Sequence, residues 1–203
     1  MQLRAGSAKV NITPPVGTPL SGYTARKDVS QGVHDELYAN SLILDNGKRI
    51  LAIITADLLG FYGDFVDKIR DLISGRTNID KDNILISATH THSAPDTICG
   101  LYSQGKTSDS WMDVLAQKIA GCAYMAWRNR KEAQIGVDKG MVDGVGVNRR
   151  NPDGKPVDQE VGVIRVEDIK GNLMAVLINY TCHAVVLGPD NLLISADYPG
   201  YTM

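Results

Sequence analysis

The sequence is poor in cysteine and lacks several short motifs that identify large enzyme classes. Its three cysteines, Cys99, Cys122 and Cys182, include no CxxC pair, so we expect neither a disulfide framework nor a cysteine-rich zinc site. No GxSxG segment, P-loop or GxGxxG segment is present. These absences argue against a serine esterase of the α/β-hydrolase type, a P-loop nucleotide-binding enzyme and a Rossmann dehydrogenase.

An excess of one charge and long apolar runs are lacking too. The chain has 21 Lys and Arg against 23 Asp and Glu, a net charge of −2, so we expect no nucleic-acid partner. The longest apolar runs, such as residues 50–54, are far too short to cross a bilayer, so we expect no integral membrane segment. No signal peptide is visible at the N-terminus. A cytoplasmic protein and a processed secreted or periplasmic protein both remain open.

The composition that remains is typical of a folded globular chain. Hydrophobic residues make up 43% and charged residues 22% of the 203 residues, and this length suits one domain. Residues 37–45 and 48–56 flank Asn46-Gly47, a dipeptide typical of a type I′ hairpin turn. Helical spacing over 61–74 and an apolar run at 84–86 complete a βαβ unit. We therefore expect parallel strands near 50–56 and 84–89.

Further elements complete the expected architecture. Because residues 50–54 are uniformly apolar, they predict a strand buried on both faces. A long helix is predicted over 110–130, with Ser110 and Asp113 as a capping box. Later strands are predicted at 134–138, 141–147, 161–167 and 173–180. The expected fold class is α/β, a layered domain with a mixed β-sheet and packing helices, over residues 1–203 as a single domain.

Three histidines follow predicted strands and are candidate metal ligands. His90 and His92 follow the strand at 84–89, and in extended backbone residues i and i+2 point to the same side. His183 follows the predicted strand at 173–180. Neutral imidazole is a good Zn²⁺ ligand, so these residues predict an incomplete zinc site. The alternative is that His90 and His92 are polar residues of a surface turn, since HxH often occurs by chance.

Two further polar residues are predicted near this site. Asp57 ends the first strand of the βαβ unit and is a candidate for an acceptor behind a ligating imidazole, or for acid–base chemistry. The alternative for Asp57 is to cap the helix at 61–74. Arg149 follows a predicted strand and can fork onto a substrate oxygen, unless it is an exposed turn residue. His34 follows a glycine-rich loop, and a surface position is favoured for it.

The combination of segments resembles the neutral/alkaline non-lysosomal ceramidase family. The most specific segment is Ala88-Thr89-His90-Thr91-His92-Ser93. The others, individually weak, are residues 11–15, 21–23, 148–149, 182–183 and 193–200, in order over nearly the whole chain. One mild departure is Ala94 before Pro95, where the family usually has glycine.

This resemblance implies a zinc amidase that cleaves the N-acyl bond of a ceramide-like sphingolipid. It assigns zinc to His90 and His183, and contact with the substrate or the developing oxyanion to His92. It also assigns substrate contact to Arg149. The family's remaining zinc ligands, a Glu and a Tyr, and its serine nucleophile lie later in the family's chain. We therefore expect residues 1–203 to be the amino-terminal part of a longer catalytic domain, inactive alone.

Two other functions remain open at this point. The first is a noncatalytic relative that keeps the fold as a binding module. The second is a zinc hydrolase of a different bond, such as an ester or a peptide. Because the family includes shorter bacterial members of untested substrate, the amide-hydrolase class is a safer expectation than ceramide itself. The expected partner is an N-acyl lipid or another small amide substrate.

Overall fold

A computed structural model of the chain describes residues 2–98, 100, 103 and 105–203. Within these residues, the helices are α1 (Gly63–Ser74), α2 (Asp109–Arg128) and α3 (Asp197–Thr202), and a 3₁₀ turn spans Lys81–Asn83. The strands are β1 (Arg4–Asn11), β2 (Gly32–Val33), β3 (Tyr38–Asp45), β4 (Ile50–Ala56), β5 (Ile84–Ala88), β6 (Lys131–Met141), β7 (Glu160–Asp168), β8 (Leu173–Tyr180) and β9 (Leu193–Ile194).

Seven of these strands form one mixed sheet in the order β5-β4-β3-β1-β6-β7-β8. β4 and β5 are parallel neighbours, with Ala52 opposite Ile84 and Ala56 opposite Ala88, and α1 lies between them in the chain. The other neighbouring strands of this sheet pair antiparallel. The predicted α/β class and the predicted parallel βαβ unit are therefore confirmed.

α1 and α2 pack on one face of the central strands and form the main core there. Ala52, Ile54 and Ala56 of β4 face this core and are fully buried. The alternate residues Leu51, Ile53 and Thr55 point the other way, and Leu51 is 39% exposed. The prediction that residues 50–54 are buried on both faces is therefore wrong, because the described helices cover only one face of β4.

β7 and β8 fold back over the other face of β1 and β3. Leu42 of β3 and Val166 of β7 belong to one small buried cluster on that side. The Ser7 hydroxyl of β1 also donates a 2.8 Å hydrogen bond to the Met174 carbonyl of β8. The sheet is thus strongly curved. β8 contacts β1, although β6 and β7 stand between these two strands in the strand order.

The turn between β3 and β4 differs from the expected type I′ geometry. A type I′ turn needs a positive φ at both central residues, but of Asn46 and Gly47 only Gly47 has one, at 79°. The side chain of Asn46 instead accepts hydrogen bonds from the backbone N–H groups of Lys48 and Arg49. The result is a four-residue loop, and β4 starts at Ile50.

Two boundaries in the second half of the chain also differ from expectation. α2 begins at Asp109, and its N-cap is Ser108 rather than Ser110, since the Ser108 hydroxyl accepts from the Trp111 N–H. The predicted strand at 141–147 is absent from the structure, which describes all of its residues. β6 instead runs without a break to Met141 and the chain then leaves the sheet.

The long loop before β2 is ordered and lies beside the predicted histidine motif. Leu20 forms a β-bridge with Pro95, and the Ser21 N–H donates to the Ala94 carbonyl at 2.9 Å. β2 pairs in parallel with β9, with Gly32 opposite Leu193. Three segments distant in sequence therefore lie together, namely residues 90–95, the loop that leads into β2, and β9.

The structure also describes two of the three cysteines. Cys122 and Cys182 are free thiols, and Cys99 lies outside the described residues. Among the described helices, none combines the length and the apolar character needed to cross a membrane.

Candidate metal centre

Three imidazoles, those of His90, His92 and His183 (the His trio), meet where the two edge strands of the curved sheet end. β5 ends at Ala88 just before His90, and β8 ends at Tyr180 just before His183. One ring nitrogen from each imidazole lies within 4.8 Å of the other two. Because β5 and β8 are farthest apart in the strand order, the fold-back of β8 over β1 is needed for this meeting.

The Nε2 atoms of the His trio point toward one another. The Nε2 atom of His92 lies 2.9 Å from that of His183 and 3.4 Å from that of His90. The rings of His90 and His183 stack with centroids 4.9 Å apart, and the His92 ring is nearly perpendicular to both. The structure thus brings together the three histidines singled out in the sequence.

His90 reaches this position through a left-handed turn. Its φ is 66°, a conformation that a non-glycine residue rarely adopts. The extended-strand geometry used to predict the convergence of His90 and His92 is therefore wrong, and the turn supplies the convergence. The Nδ1 of His90 lies 2.7 Å from the Leu59 carbonyl oxygen. Since this oxygen only accepts, His90 carries its proton on Nδ1 and presents an Nε2 lone pair to the other rings.

His92 is the most enclosed member of the trio, 8% exposed. Its ring lies against Gly22, where an added Cβ would stand 2.5 Å from the imidazole Cγ. The Tyr23 ring packs nearby at a centroid distance of 4.9 Å, and the Arg26 guanidinium donates to the His92 carbonyl at 2.9 Å. Burial, followed by the neighbouring His183 and His90, lowers the pKa of His92 to about 4. This imidazole is therefore neutral at pH 7.

His183 contacts the predicted substrate-binding arginine. The Arg149 Nη1 lies 3.3 Å from the His183 Nδ1. A guanidinium only donates, so this Nδ1 accepts and the proton of a neutral His183 resides on Nε2, facing His92. Burial, followed by His90 and Arg149, lowers the pKa of His183. Arg149 thus lies at the edge of the His trio.

Asp57 is buried near the start of the loop that orients His90, but it does not supply the acceptor predicted for a ligating imidazole. Its Oδ2 accepts a 2.9 Å hydrogen bond from the Tyr38 N–H, whereas Leu59 provides the acceptor for His90. The N-cap of α1 is Tyr62, so Asp57 does not cap that helix either. Burial raises the pKa of Asp57 to about 6. Its acid–base role stays a prediction.

The donor set of the His trio fits a zinc ion. Zinc binds imidazole nitrogens at about 2.0–2.1 Å in tetrahedral geometry, which places ligand nitrogens about 3.3 Å apart. The 3.4 Å between the Nε2 atoms of His90 and His92 matches this spacing, the 2.9 Å between those of His92 and His183 is shorter, and all three ring nitrogens lie within 4.8 Å of one another. The backbone carbonyl behind His90 is the kind of acceptor that orients a ligating histidine. The residues present can therefore hold a metal ion.

Some residues that shape the site were not singled out as functional by the sequence. The Leu59 carbonyl is a backbone group and leaves no signal in the sequence. Gly22 and Asp197 lie in segments that carry the family resemblance, so a signal was available for them. His34 pairs with Asp35 at 2.8 Å and does not belong to the His trio.

Comparison with known proteins agrees with the resemblance seen in the sequence. Residues 3–203 match the family model described as "Neutral/alkaline non-lysosomal ceramidase, N-terminal". The chain is 29% identical over 226 residues to the neutral ceramidase of Drosophila pseudoobscura pseudoobscura, covering 98% of this chain and 31% of that protein. It is 28% identical over 217 residues to neutral ceramidase A of Dictyostelium discoideum, covering 97% of this chain and 30% of that protein.

Solved structures give the same fold. A structure described as "Crystal Structure Analysis of neutral ceramidase from Pseudomonas aeruginosa" superposes with a TM-score of 0.86 at 20% identity, covering 99% of this chain and 35% of that one. This chain therefore spans about a third of the length of the relatives it matches. The chain belongs to the neutral/alkaline non-lysosomal ceramidase family, of which it matches the N-terminal part.

Proposed function

We propose that this chain carries part of the active site of a zinc-dependent amidase that cleaves the N-acyl bond of a ceramide-like sphingolipid. The observation that carries the proposal is the convergence of three imidazoles, Nε2 to Nε2, at the ends of β5 and β8. The names of the relatives, neutral ceramidases in each case quoted, support an amide bond as the target. The noncatalytic binding module and the hydrolase of another bond are the rival outcomes.

In this proposal, His90 and His183 hold the metal through Nε2. His90 already presents this nitrogen as a lone pair, because the Leu59 carbonyl fixes the proton on Nδ1. His183 does so once its proton moves from Nε2 to Nδ1. A bound Zn²⁺ supplies a Lewis acid that polarises a carbonyl oxygen and lowers the pKa of a bound water.

The other residues act on the substrate. His92, neutral because its pKa is lowered to about 4, donates from its imidazole to the oxyanion that develops on the amide carbonyl. One such donor typically contributes about 3–4 kcal/mol of transition-state stabilisation. Arg149, whose Nη1 lies 3.3 Å from the His183 Nδ1, orients a substrate oxygen. For Asp57 we retain the acid–base role as a prediction, although its observed partner is the Tyr38 N–H.

We further propose that the nucleophile and additional zinc ligands come from outside residues 1–203. The chain spans 31% of the Drosophila relative, and a site of His90 and His183 alone is short of the three protein ligands that catalytic zinc normally has. Residues 1–203 by themselves are therefore expected to show no enzymatic turnover. The alternative is that all three imidazoles of the His trio, including that of His92, bind the zinc ion.

The test is a variant series of the full-length protein, of which our proposal makes residues 1–203 the N-terminal part, assayed with a fluorogenic N-acyl sphingosine, an N-acyl peptide and a matched ester. We expect His90→Ala and His183→Ala to lose both bound zinc and activity, and His92→Ala to lose about 10²–10³ in kcat while retaining zinc. His34→Ala is the matched control, since it removes the one histidine outside the trio. Preferred turnover of the ester or peptide, or full activity in His90→Ala, would contradict the proposal.

A further inference from the structure

The segment 195–198 lies between the two loops that carry the His trio. One side of the segment holds the loop of His90 and His92. The Ser195 N–H donates to the Ser93 carbonyl at 2.9 Å, and the Thr91 hydroxyl donates to the Ser195 carbonyl at 2.7 Å. Thr91, Ser93 and Ser195 are all fully buried, so these hydrogen bonds are shielded from water.

The other side of the same segment holds the loop of His183. The Asp197 carboxylate accepts from the Val186 N–H at 3.3 Å through Oδ1 and from the Leu187 N–H at 3.0 Å through Oδ2. The Tyr198 hydroxyl donates to the Cys182 carbonyl at 2.7 Å. His183 is therefore fixed on both sides in sequence, at Cys182 and at residues 186–187.

Asp197 has a left-handed backbone conformation, which non-glycine residues rarely adopt. It is 3% exposed and has a φ of 56°. The only other described non-glycine residue with a positive φ is His90. Such residues concentrate where the surrounding structure over-determines them, often at functional sites.

The Asp197 turn is itself anchored from a third direction. Asp35 accepts from the Ser195 hydroxyl at 2.5 Å and from the Ala196 N–H at 2.6 Å. The Asp197 N–H in turn donates to the Ser195 hydroxyl oxygen at 3.0 Å. The carboxylate of Asp197 is thus presented to the His183 loop from a rigid support.

We propose that Asp197 is a positioning residue that sets the place of the His183 imidazole relative to His90 and His92. It acts through the backbone of residues 186–187. Within the described residues, it forms no hydrogen bond with a member of the His trio. This inference rests on the proposed zinc function. It goes beyond that function by assigning the geometry of the metal site to a residue that is neither a ligand nor a substrate contact.

The decisive variant is Asp197→Asn in the full chain. Asparagine has the same shape and tolerates a positive φ, but its amide offers one acceptor oxygen in place of two, so one of the two N–H groups of the His183 loop loses its partner. Zinc affinity is measured by competition with a chromophoric chelator. We expect it to weaken about tenfold or more, the range found for residues that support metal ligands.

Asp168→Asn is the matched control. Asp168 is also buried and also accepts backbone N–H groups, those of Lys170 and Asn172, but it lies at the β7–β8 turn, a strand's length from His183. We expect this variant to lower the melting temperature and to leave zinc affinity unchanged. Unchanged zinc affinity in Asp197→Asn would overturn the inference while leaving the proposed function intact.

Hydrogen exchange of the metal-free protein supplies a readout that does not depend on zinc. In Asp197→Asn, the Val186 and Leu187 amides are expected to exchange faster, while the amides of β5 keep their protection. If the wild-type chain binds no zinc, the proposed function fails, and unchanged exchange at Val186 and Leu187 would then overturn the role of Asp197 as well. Should Asp197→Asn not fold, Tyr198→Phe removes only the contact with Cys182, and it must weaken zinc binding in the same direction.

Discussion

The Nδ1 atoms of His90 and His183 face hydrogen-bond partners of opposite kind, an acceptor and a donor. The Nδ1 of His90 faces a carbonyl oxygen, an acceptor, and the Nδ1 of His183 faces the Arg149 guanidinium, a donor. His90 is therefore set in the tautomer that binds metal through Nε2, while His183 is set in the other one. Holding a metal through His183 requires the loss of the Arg149 contact, which frees the guanidinium for the substrate.

This opposition predicts that Arg149→Ala separates metal binding from turnover. The variant removes the donor that keeps the His183 proton on Nε2. The Nε2 atom is then free to bind metal, so zinc is expected to bind at least as tightly as in the wild type. Turnover of an N-acyl substrate is expected to fall, mainly through a higher KM. Chelator competition and steady-state kinetics check the two effects, with Arg150→Ala as the neighbouring control. Weaker zinc binding in Arg149→Ala would count against the tautomer argument.

Gly22 predicts a second effect of a single residue. In Gly22→Ala, the new Cβ would lie 2.5 Å from the His92 ring, at a φ of 109°. Gly17→Ala is the matched control, because Gly17 also has a positive φ, at 94°, but has nothing near its Cβ position. We expect both variants to lose about 1 kcal/mol of stability from backbone strain, and only Gly22→Ala to lose activity. Equal activities would show that His92 moves aside without consequence.

Asp57 makes stability depend on pH. Burial, the largest cause, raises its pKa to about 6, while interactions with the Tyr38 N–H, the Thr89 hydroxyl and Lys9 lower it by smaller amounts. A raised pKa of a carboxyl group means that the folded chain holds this proton more tightly than the unfolded chain. The contribution to stability is therefore complete below about pH 4 and is lost as the pH rises through about 6.

Asp57→Asn mimics the protonated acid and should abolish this loss. Relative to the wild type, we expect the free energy of unfolding of the variant to rise by about 2–3 kcal/mol between pH 4 and pH 7. Denaturant unfolding at a series of pH values measures the difference. Curves that stay parallel for the two proteins would mean that the pKa of Asp57 is the same in the folded and the unfolded chain.

At the scale of elements, the contact between β1 and α2 depends on one glycine. A Cβ on Gly6 would lie 2.1 Å from the Ala126 carbonyl oxygen and 2.8 Å from the Arg130 backbone nitrogen. Since backbone atoms cannot rotate away, Gly6→Ala must push α2 off the sheet. We expect a loss of at least about 1–3 kcal/mol, the usual cost of overpacking.

Gly136→Ala is the control for this strand glycine. Gly136 lies in β6, and nothing lies within 4 Å of its Cβ position, so its replacement should be neutral or slightly stabilising. Thermal unfolding of the two variants measures the contrast. Equal melting temperatures would indicate that α2 adjusts its packing on β1 more freely than the structure implies.

The elements that the sequence predicts well are those with local signals. The helix at α1 and the parallel pair β4–β5 follow from apolar spacing within about forty residues. The exposure of Leu51 could not be predicted, because it depends on which face of β4 the helices leave uncovered. The strand predicted at 141–147 is missing for another non-local reason, because β6 ends at Met141 and the chain then leaves the sheet.

The candidate site was only partly predictable for a related reason. The motif around His90 and His92 identified the residues, but the left-handed turn at His90 depends on contacts with Leu58 and Leu59 from another element. The approach of His183 depends on β8 folding back over β1, which no local pattern encodes. Asp197 belongs to the same class, since its role arises only once the two histidine loops meet.

At the scale of the whole molecule, the site is a product of the sheet's curvature. Two edge strands, β5 and β8, bring the His trio together, and the segment 195–198 ties the two loops to each other. The chain spans about a third of its relatives' length, and our proposal places the nucleophile and the remaining ligands outside it. The central claim is therefore that the His trio is a metal site before the rest of a catalytic centre is added.

Anomalous scattering at the zinc edge, measured on crystals of residues 1–203 grown with zinc, tests this claim most directly. We expect one anomalous peak between the Nε2 atoms of His90 and His183, at about 2.0–2.1 Å from each, with His92 adjacent. In a His90→Ala crystal the same peak should disappear. A peak centred elsewhere in the wild type, or ordered His90 and His183 side chains with no zinc between them, would contradict the account.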